Sequence, residues 1–298
     1  MMSTMRLRCL LGLGALATLL ATGAASEEIL HRERSLYRNI VVYEDQGLRC
    51  MSFGRNTLAR QSCVSLTNRD ELIFNYTRMI MASLYLNPAP KRILIVGLGG
   101  GTLVHAFQRL APDAEIDAVE IDDAVVQVAR KYFGLESGPR TRISVEDGRV
   151  FVKRAQRRGE KYDLIVLDAF DHEYIPEHML TREFLIEVRS LLSDRGVLAG
   201  NTFSTSKLFD HESATYYSVF GDFFGLKQNN RVILVRLGDL PAKADIVRNA
   251  DLLDARLKPL GIDKAWLLPQ IVIEHDWPAG TRVLTDQYSP SNLLNSGR

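Results

Sequence analysis

The sequence predicts an α/β fold in which strands and helices alternate over most of the chain, behind a small N-terminal β-hairpin domain. Three observations lead there. Segments of strand length recur at 93–96, 116–121, 140–145 and 162–167, the first and last of them nearly all apolar. Segments with apolar residues at helical spacing stand between them, as in a sheet covered by helices. Ahead of these, residues 36–66 carry β-branched and aromatic stretches parted by turn residues, which reads as short antiparallel strands.

The run Ile93 to Val96 is the one the rest is arranged around. It is short enough for a buried strand, and Gly97-Leu-Gly-Gly-Gly101 follows at once. Leu103, Val104, Phe107 and Leu110 then mark one face of a helix. Exposed N–H groups at such a helix start favour electron-rich ligand atoms. Gly97, Gly99 and Gly101 lack the Cβ that would keep a ligand off the backbone. Glycines that only pack helix on strand would look the same. Glu120 adds a second sign, nineteen residues beyond Gly101 at the end of the next strand. A carboxylate there is placed to accept hydrogen bonds from a ribose diol. The third glycine of a dinucleotide fingerprint would fall at Thr102, so a mononucleoside fits better than a nicotinamide cofactor.

The length of 298 residues suits one sizeable domain plus a smaller one. From Glu27 onward there are 35 basic against 36 acidic residues, with no basic block or stripe. Nothing therefore points to a nucleic-acid partner. Residues 1–26 have the layout of a secretory signal peptide. Arg6 and Arg8 precede an apolar stretch from Cys9 to Thr22, and small residues Gly23 to Ser26 follow. The expectation is an exported protein, periplasmic or secreted. An uncleaved segment would instead tether it to a membrane, although the apolar run is short of the roughly 20 residues a spanning helix needs.

The hairpin domain, 27–66, is expected to contain strands at Ile40 to Tyr43, Leu48 to Phe53 and Leu58 to Leu66. Pairing about a turn near Arg55 to Leu58 sets Cys50 opposite Cys63, and an exported compartment would keep the pair oxidised. The larger domain is expected to fill 67–298. Thr67 or Asn68 could cap a helix reaching Leu86, with Asp70 and Glu71 in its first turn. Helices are also read at 123–133, 181–193 and 212–224, and strands at 196–201 and 231–237.

Two further strand ends carry chemistry. The third ends in Glu146-Asp147-Gly148, where a carboxylate could take the exocyclic amine of adenine. Asp147 could equally cap the next helix, and the two roles are compatible. The fourth ends in Asp168-Ala-Phe-Asp171. Two carboxylates three residues apart can converge on one cation or one proton, or serve as loop carboxylates capping the next helix.

Together these residues resemble the polyamine aminopropyltransferases, the spermidine synthase family, in a divergent branch. The likeness runs from about Leu36 to Leu294 through Thr67 to Phe74, the glycine loop, Val119 to Asp122, Glu146 to Gly148 and Asp168 to Asp171. It implies a seven-stranded Rossmann-like methyltransferase fold, and a donor of the S-adenosylmethionine type, decarboxylated or not. It also implies a small-molecule amine acceptor and no metal. By that likeness the loop glycines, Glu120, Asp147 and Gly148 would hold the nucleoside. Asp168 would orient and deprotonate the attacking amine, and Asp171 would help bind ammonium groups. The chain departs from the family's pattern on the amine side. No aspartate stands among the loop glycines, and Ser65, Phe74, Asn75 and Tyr76 occupy positions where the family has other polar groups. A methyltransferase and a non-catalytic exported nucleoside- or polyamine-binding protein are the alternatives. A homodimer is an assembly open to any of the three.

Overall fold

The computed structural model describes residues 27–54, 57, 59–169, 176–204 and 207–295. The expected signal segment and Asp171 lie outside them. The chain builds two sheets. The first is an antiparallel meander of β1 (Glu28–Arg34), β2 (Asn39–Asp45), β3 (Leu48–Phe53) and β4 (Arg60–Ser65). β1 was not expected from the sequence. Its residues, EILHRER, are mostly charged and exposed, which hides the strand pattern but suits an edge that must not pair with other chains.

The main sheet begins at β5 (Arg92–Val96) and continues with β6 (Glu115–Glu120), β7 (Thr141–Val145), β8 (Tyr162–Leu167) and β9 (Leu192–Phe203). β10 (Phe224–Lys227), β11 (Asn230–Arg236) and β12 (Val272–Ile273) complete it. The order is β12-β10-β11-β9-β8-β5-β6-β7. The five strands from β9 to β7 are parallel, and β11, β10 and β12 are antiparallel. The seven strands that the resemblance implied are present as β5 to β11, six of them read from the sequence and β10 not, and the two-residue β12 adds an eighth at the edge. β5 and β8 are almost wholly buried apolar runs, as strands covered on both faces must be.

The helices are α1 (Asn75–Ile80), α2 (Ser83–Leu86), α3 (Thr102–Leu110), α4 (Asp123–Phe133), α5 (Gly148–Arg157), α6 (Arg182–Leu191), α7 (Leu208–Phe220), α8 (Lys243–Leu257), α9 (Lys264–Leu267) and α10 (Ser291–Asn295). Residues of α1, α2, α3 and α8 bury one face of the main sheet, around Phe107, Ile95 and Leu253. Residues of α5, α6 and α7 bury the other, around Phe184, Ile165 and Val188. α4 joins the two sheets. Its Val125 and Val128 pack with Ile40, Val42 and Met51 of the meander, while Val126 and Ala129 face the main core.

Two helix expectations need correction. The chain from Thr67 to Phe74 is not helical. Ser65 Oγ accepts from the N–H groups of Thr67 and Asn68 in a local turn. The Glu71 N–H closes a turn onto Asn68 O, and the Leu72 N–H donates to Leu260 O at 3.0 Å, a tertiary bond that takes up a donor a helix would have used. Asp70, expected at a helix start, pairs instead with Arg109 and His105 of α3. The helix expected over 212–224 ends at Phe220, where Gly221 takes φ 74° and breaks the turn. Phe224 already belongs to β10.

Cys50 and Cys63 form a disulfide, with Cα atoms 4.1 Å apart. They are directly paired in the β3–β4 register, as expected, and both are buried. The connecting turn lies largely outside the described residues.

Candidate active site

Ladder register lines up the carboxyl ends of the five parallel strands. Val96 pairs with Val119 on one side and Leu167 on the other, Glu120 pairs with Val145, and Leu167 pairs with Gly200. The next residues therefore form a row: Asn201, Asp168, Gly97, Glu120, then Glu146-Asp147. At roughly 4.8 Å per strand the row spans about 19 Å. The order of strands reverses beside β5, with β6 and β7 to one side and β8 and β9 to the other. A reversal of this kind opens the crevice where α/β sheets take ligands.

At the centre, Gly97 has φ 98°, and a Cβ there would lie 2.1 Å from Asp168 O. The close approach that demands glycine is thus to the neighbouring strand end, and it sets Asp168 against the loop. Gly101, with φ 79°, is crowded by Leu135. Packing accounts for these two. Gly99 has only Ser62 nearby, at 3.9 Å, and is the loop glycine with open space around a would-be Cβ. At Gly148 a Cβ would meet Val96 Cγ1 at 2.5 Å and Met179, so it too is a packing glycine, at the start of α5.

Glu120 is 9% exposed. Its Oε2 accepts from Leu98 N–H in the glycine loop at 3.2 Å, and its Oε1 from Ile121 and Asp122 N–H at 2.9 and 3.1 Å. Burial pushes its pKa up, against three backbone donors and the charge of Arg38, which favour the anion. Glu120 thus ties the loop to the end of β6. Asp147 caps α5, its Oδ1 accepting from Val150 N–H at 3.0 Å, and its Oδ2 lies 2.9 Å from His178 Nε2. The capping role is there, and each carboxylate oxygen keeps a further lone pair for a donor from a ligand.

Asp168 is held differently. Asn201 Nδ2 donates to its Oδ1 at 2.8 Å, and the Tyr76 hydroxyl is hydrogen-bonded to the same carboxylate. Burial raises its pKa to about 7, opposed by the bonds from Asn201 and Tyr76 and helped by the nearby charge of Glu120. Burial and the Asp168 charge hold the Tyr76 phenol well above its usual range, so it stays protonated and donates. A carboxylate near 7 that is also hydrogen-bonded is suited to taking a proton at neutral pH. Tyr76 stacks on Phe74, ring centroids 5.9 Å apart.

The row brings together Gly97, Glu120, Asp147 and Asp168 of the predicted residues. Sequence reasoning missed Asn201 and the contact from Tyr76. Asn201 is the last residue of the strand read at 196–201, which the structure extends to Leu192–Phe203, and that position could have flagged it. Among the described residues no group of three or more His, Cys, Asp or Glu side chains is gathered to hold a metal ion, and no helix is long and apolar enough to cross a membrane.

Residues 73–225 match the model of the spermine/spermidine synthase domain family. The chain is 48% identical over 286 residues to a polyamine aminopropyltransferase of Vibrio vulnificus, covering 94% of this chain and 96% of that protein. Among solved structures, a spermidine synthase in complex with the transition-state analogue AdoDATO superposes with a TM-score of 0.61 at 17% identity, covering 83% of this chain and 85% of that one. Human methyltransferase-like protein 13 in complex with SAH superposes with a TM-score of 0.57 at 27% identity, covering 66% of this chain and 98% of that one.

Proposed function

Because the chain belongs to the spermine/spermidine synthase family, we propose that it is a polyamine aminopropyltransferase, moving an aminopropyl group from a sulfonium nucleoside to an amine. The observation that carries this reading is the 48% identity to the Vibrio vulnificus enzyme across 94% of the chain. The donor is of the S-adenosylmethionine type. Its nucleoside lies toward Glu120 and Asp147, and its sulfonium toward Gly97 and Asp168.

In the transfer, the amine nitrogen's lone pair attacks the methylene beside sulfur. The carbon–sulfur bond breaks, its electrons stay on sulfur, and neutral methylthioadenosine leaves. The nitrogen must shed a proton, and Asp168 accepts it. Holding the amine against the methylene supplies much of the acceleration, and base catalysis the rest.

The donor form follows from the loop. No carboxylate stands between Gly97 and Thr102, so no fixed anion there awaits the aminopropyl ammonium, and a donor carboxylate meets less repulsion. We infer that binding is not restricted to the decarboxylated donor. Methyl transfer is the second reading, favoured by the likeness to the human methyltransferase-like protein. Calorimetric titration with both donors and with methylthioadenosine tests the assignment. Binding of methylthioadenosine and the decarboxylated donor is expected, and binding of none of the three overturns it.

Export is also proposed. The Cys50–Cys63 bridge supports it, since disulfides persist in oxidising compartments. Fractionation of cells expressing the full chain checks this: a product retained whole in the cytosol contradicts it.

A further inference from the structure

We propose that Asn201 and Asn230 form a positioning relay for Asp168, in which the amide of Asn230 fixes the orientation of the Asn201 amide and so keeps an N–H, not an oxygen, against the Asp168 carboxylate. The inference rests on the reading of Asp168 as the base.

The geometry begins in the ladder. Asn201 of β9 pairs with Val232 of β11, so Asn230, two residues before Val232, projects on the same face one diagonal step away. Asn230 Nδ2 donates to Asn201 Oδ1 at 3.2 Å. On the far side, Asn201 Nδ2 donates to Asp168 Oδ1 at 2.8 Å. Asn201 is 6% exposed, so water offers its amide little alternative partnership. An amide has a donor end and an acceptor end. Turned over, Asn201 would put its oxygen against a carboxylate oxygen and its NH2 against the NH2 of Asn230. Both contacts would repel. One orientation therefore survives: the carboxylate demands the NH2, and the Asn230 donor holds the oxygen end.

The groups that face Asp168 among the described residues come from three elements. Glu120 at the end of β6 is acidic and disfavours a second charge. Tyr76 of α1 donates a hydrogen bond. Asn201 of β9 donates the other. The Asn201 donor is itself hydrogen-bonded by a second residue, Asn230. Removing either member of the relay withdraws stabilisation from the ionised carboxylate, so its titration moves up. Asp168 must be ionised to accept the amine's proton, so the acid limb of turnover moves up with it.

The test follows the Asp168 carboxyl by NMR in the full chain carrying 13C-labelled aspartate, with Asp168→Asn identifying the signal. Turnover is measured from pH 5.5 to 9.5 in parallel. Asn201→Ala is expected to raise the Asp168 midpoint by about one unit. Turnover would fall about fivefold at pH 7 and little at pH 9, with donor KM unchanged. Asn230→Ala is expected to move the midpoint in the same direction by about half as much, and Asn230→Gln, which keeps the amide, to recover part of it. The relay is overturned if Asn230→Ala leaves the midpoint where it was while Asn201→Ala moves it, or if neither variant moves it. An equal loss at every pH, with a lower melting temperature, also overturns it in favour of a structural role. The titration reads the relay even if no amine is turned over. In that case the transfer reading fails and the relay stands or falls on the midpoint alone.

Discussion

The two halves of the strand-end row hold their carboxylates by different means. On the β6–β7 side, Glu120 and Asp147 accept mainly from backbone N–H groups, most of them in the turn that each carboxylate itself begins. On the β8–β9 side, Asp168 accepts from the side chains of Asn201 and Tyr76, which come from distant parts of the chain. Backbone donors are fixed wherever the turn forms. Side-chain donors depend on tertiary packing and can be changed singly. The first arrangement suits a constant recognition element such as a nucleoside. The second suits a group whose basicity has been set for chemistry, at the cost of keeping a carboxylate where burial resists its charge.

The sharpest way to break this contrast is Asp168→Asn. Turnover should fall by about 10²–10⁴-fold with donor affinity little changed. Loss of donor binding instead would make Asp168 a holding group like Glu120 and erase the distinction. The same variant carries a stability signature. In the folded chain Asp168 titrates near 7, while unfolded aspartate titrates near 4. As pH rises from about 4 to 7 the unfolded chain releases its proton first, so the folded state loses stability over that window and remains penalised above it. Asp168→Asn should therefore melt higher than the parent at pH 8, with the difference gone by pH 4. Scanning calorimetry at the two pH values checks this, and equal melting at both would mean that burial does not strain the carboxylate.

The next effect separates the hairpin domain from the site. Replacing Cys50 and Cys63 with serine should lower stability by up to about 3 kcal/mol while leaving turnover of the folded protein near the parent's. Denaturant unfolding together with an activity assay reads both. A large loss of activity in folded protein would show that the meander governs the loop, which it touches through Ser62.

The contrast also explains what the sequence could disclose. β5, β8 and α4 are bounded by local features: an apolar run closed by glycines, an apolar run closed by an aspartate, and a capping aspartate with Gly134 at the far end. Each was legible, and so were the strand-end positions of Glu120 and Asp147, whose partners lie mostly within a few residues. The disulfide was legible because a hairpin register is local. The non-helical segment 67–74 was not, because the Leu72–Leu260 bond that holds it spans most of the chain. β1 was hidden by its charge. Asn201 and the Tyr76 contact were hidden for the reason that Asp168 is distinctive: its partners converge only once the sheet is assembled.

On the backbone-held side the effects should be smaller. Glu120→Gln is expected to weaken methylthioadenosine binding by about 1–3 kcal/mol through a lost charge-assisted bond, read by calorimetry. Unchanged affinity would leave Glu120 as a tie between loop and strand and nothing more. Asp147→Asn should be smallest. Asparagine caps a helix about as well as aspartate, so stability should hold while nucleoside affinity falls by about 1 kcal/mol. A fall in melting temperature with unchanged affinity would confine Asp147 to its capping role.

Aminopropyl transfer is decided by analysis of the products. The full chain is incubated with decarboxylated S-adenosylmethionine and a panel of di- and polyamines, and the mixture is analysed by mass spectrometry. The expected product is an acceptor heavier by one aminopropyl group, with one methylthioadenosine released per transfer. A methylated acceptor formed from S-adenosylmethionine in its place, or bound donor recovered intact with every amine, would contradict it.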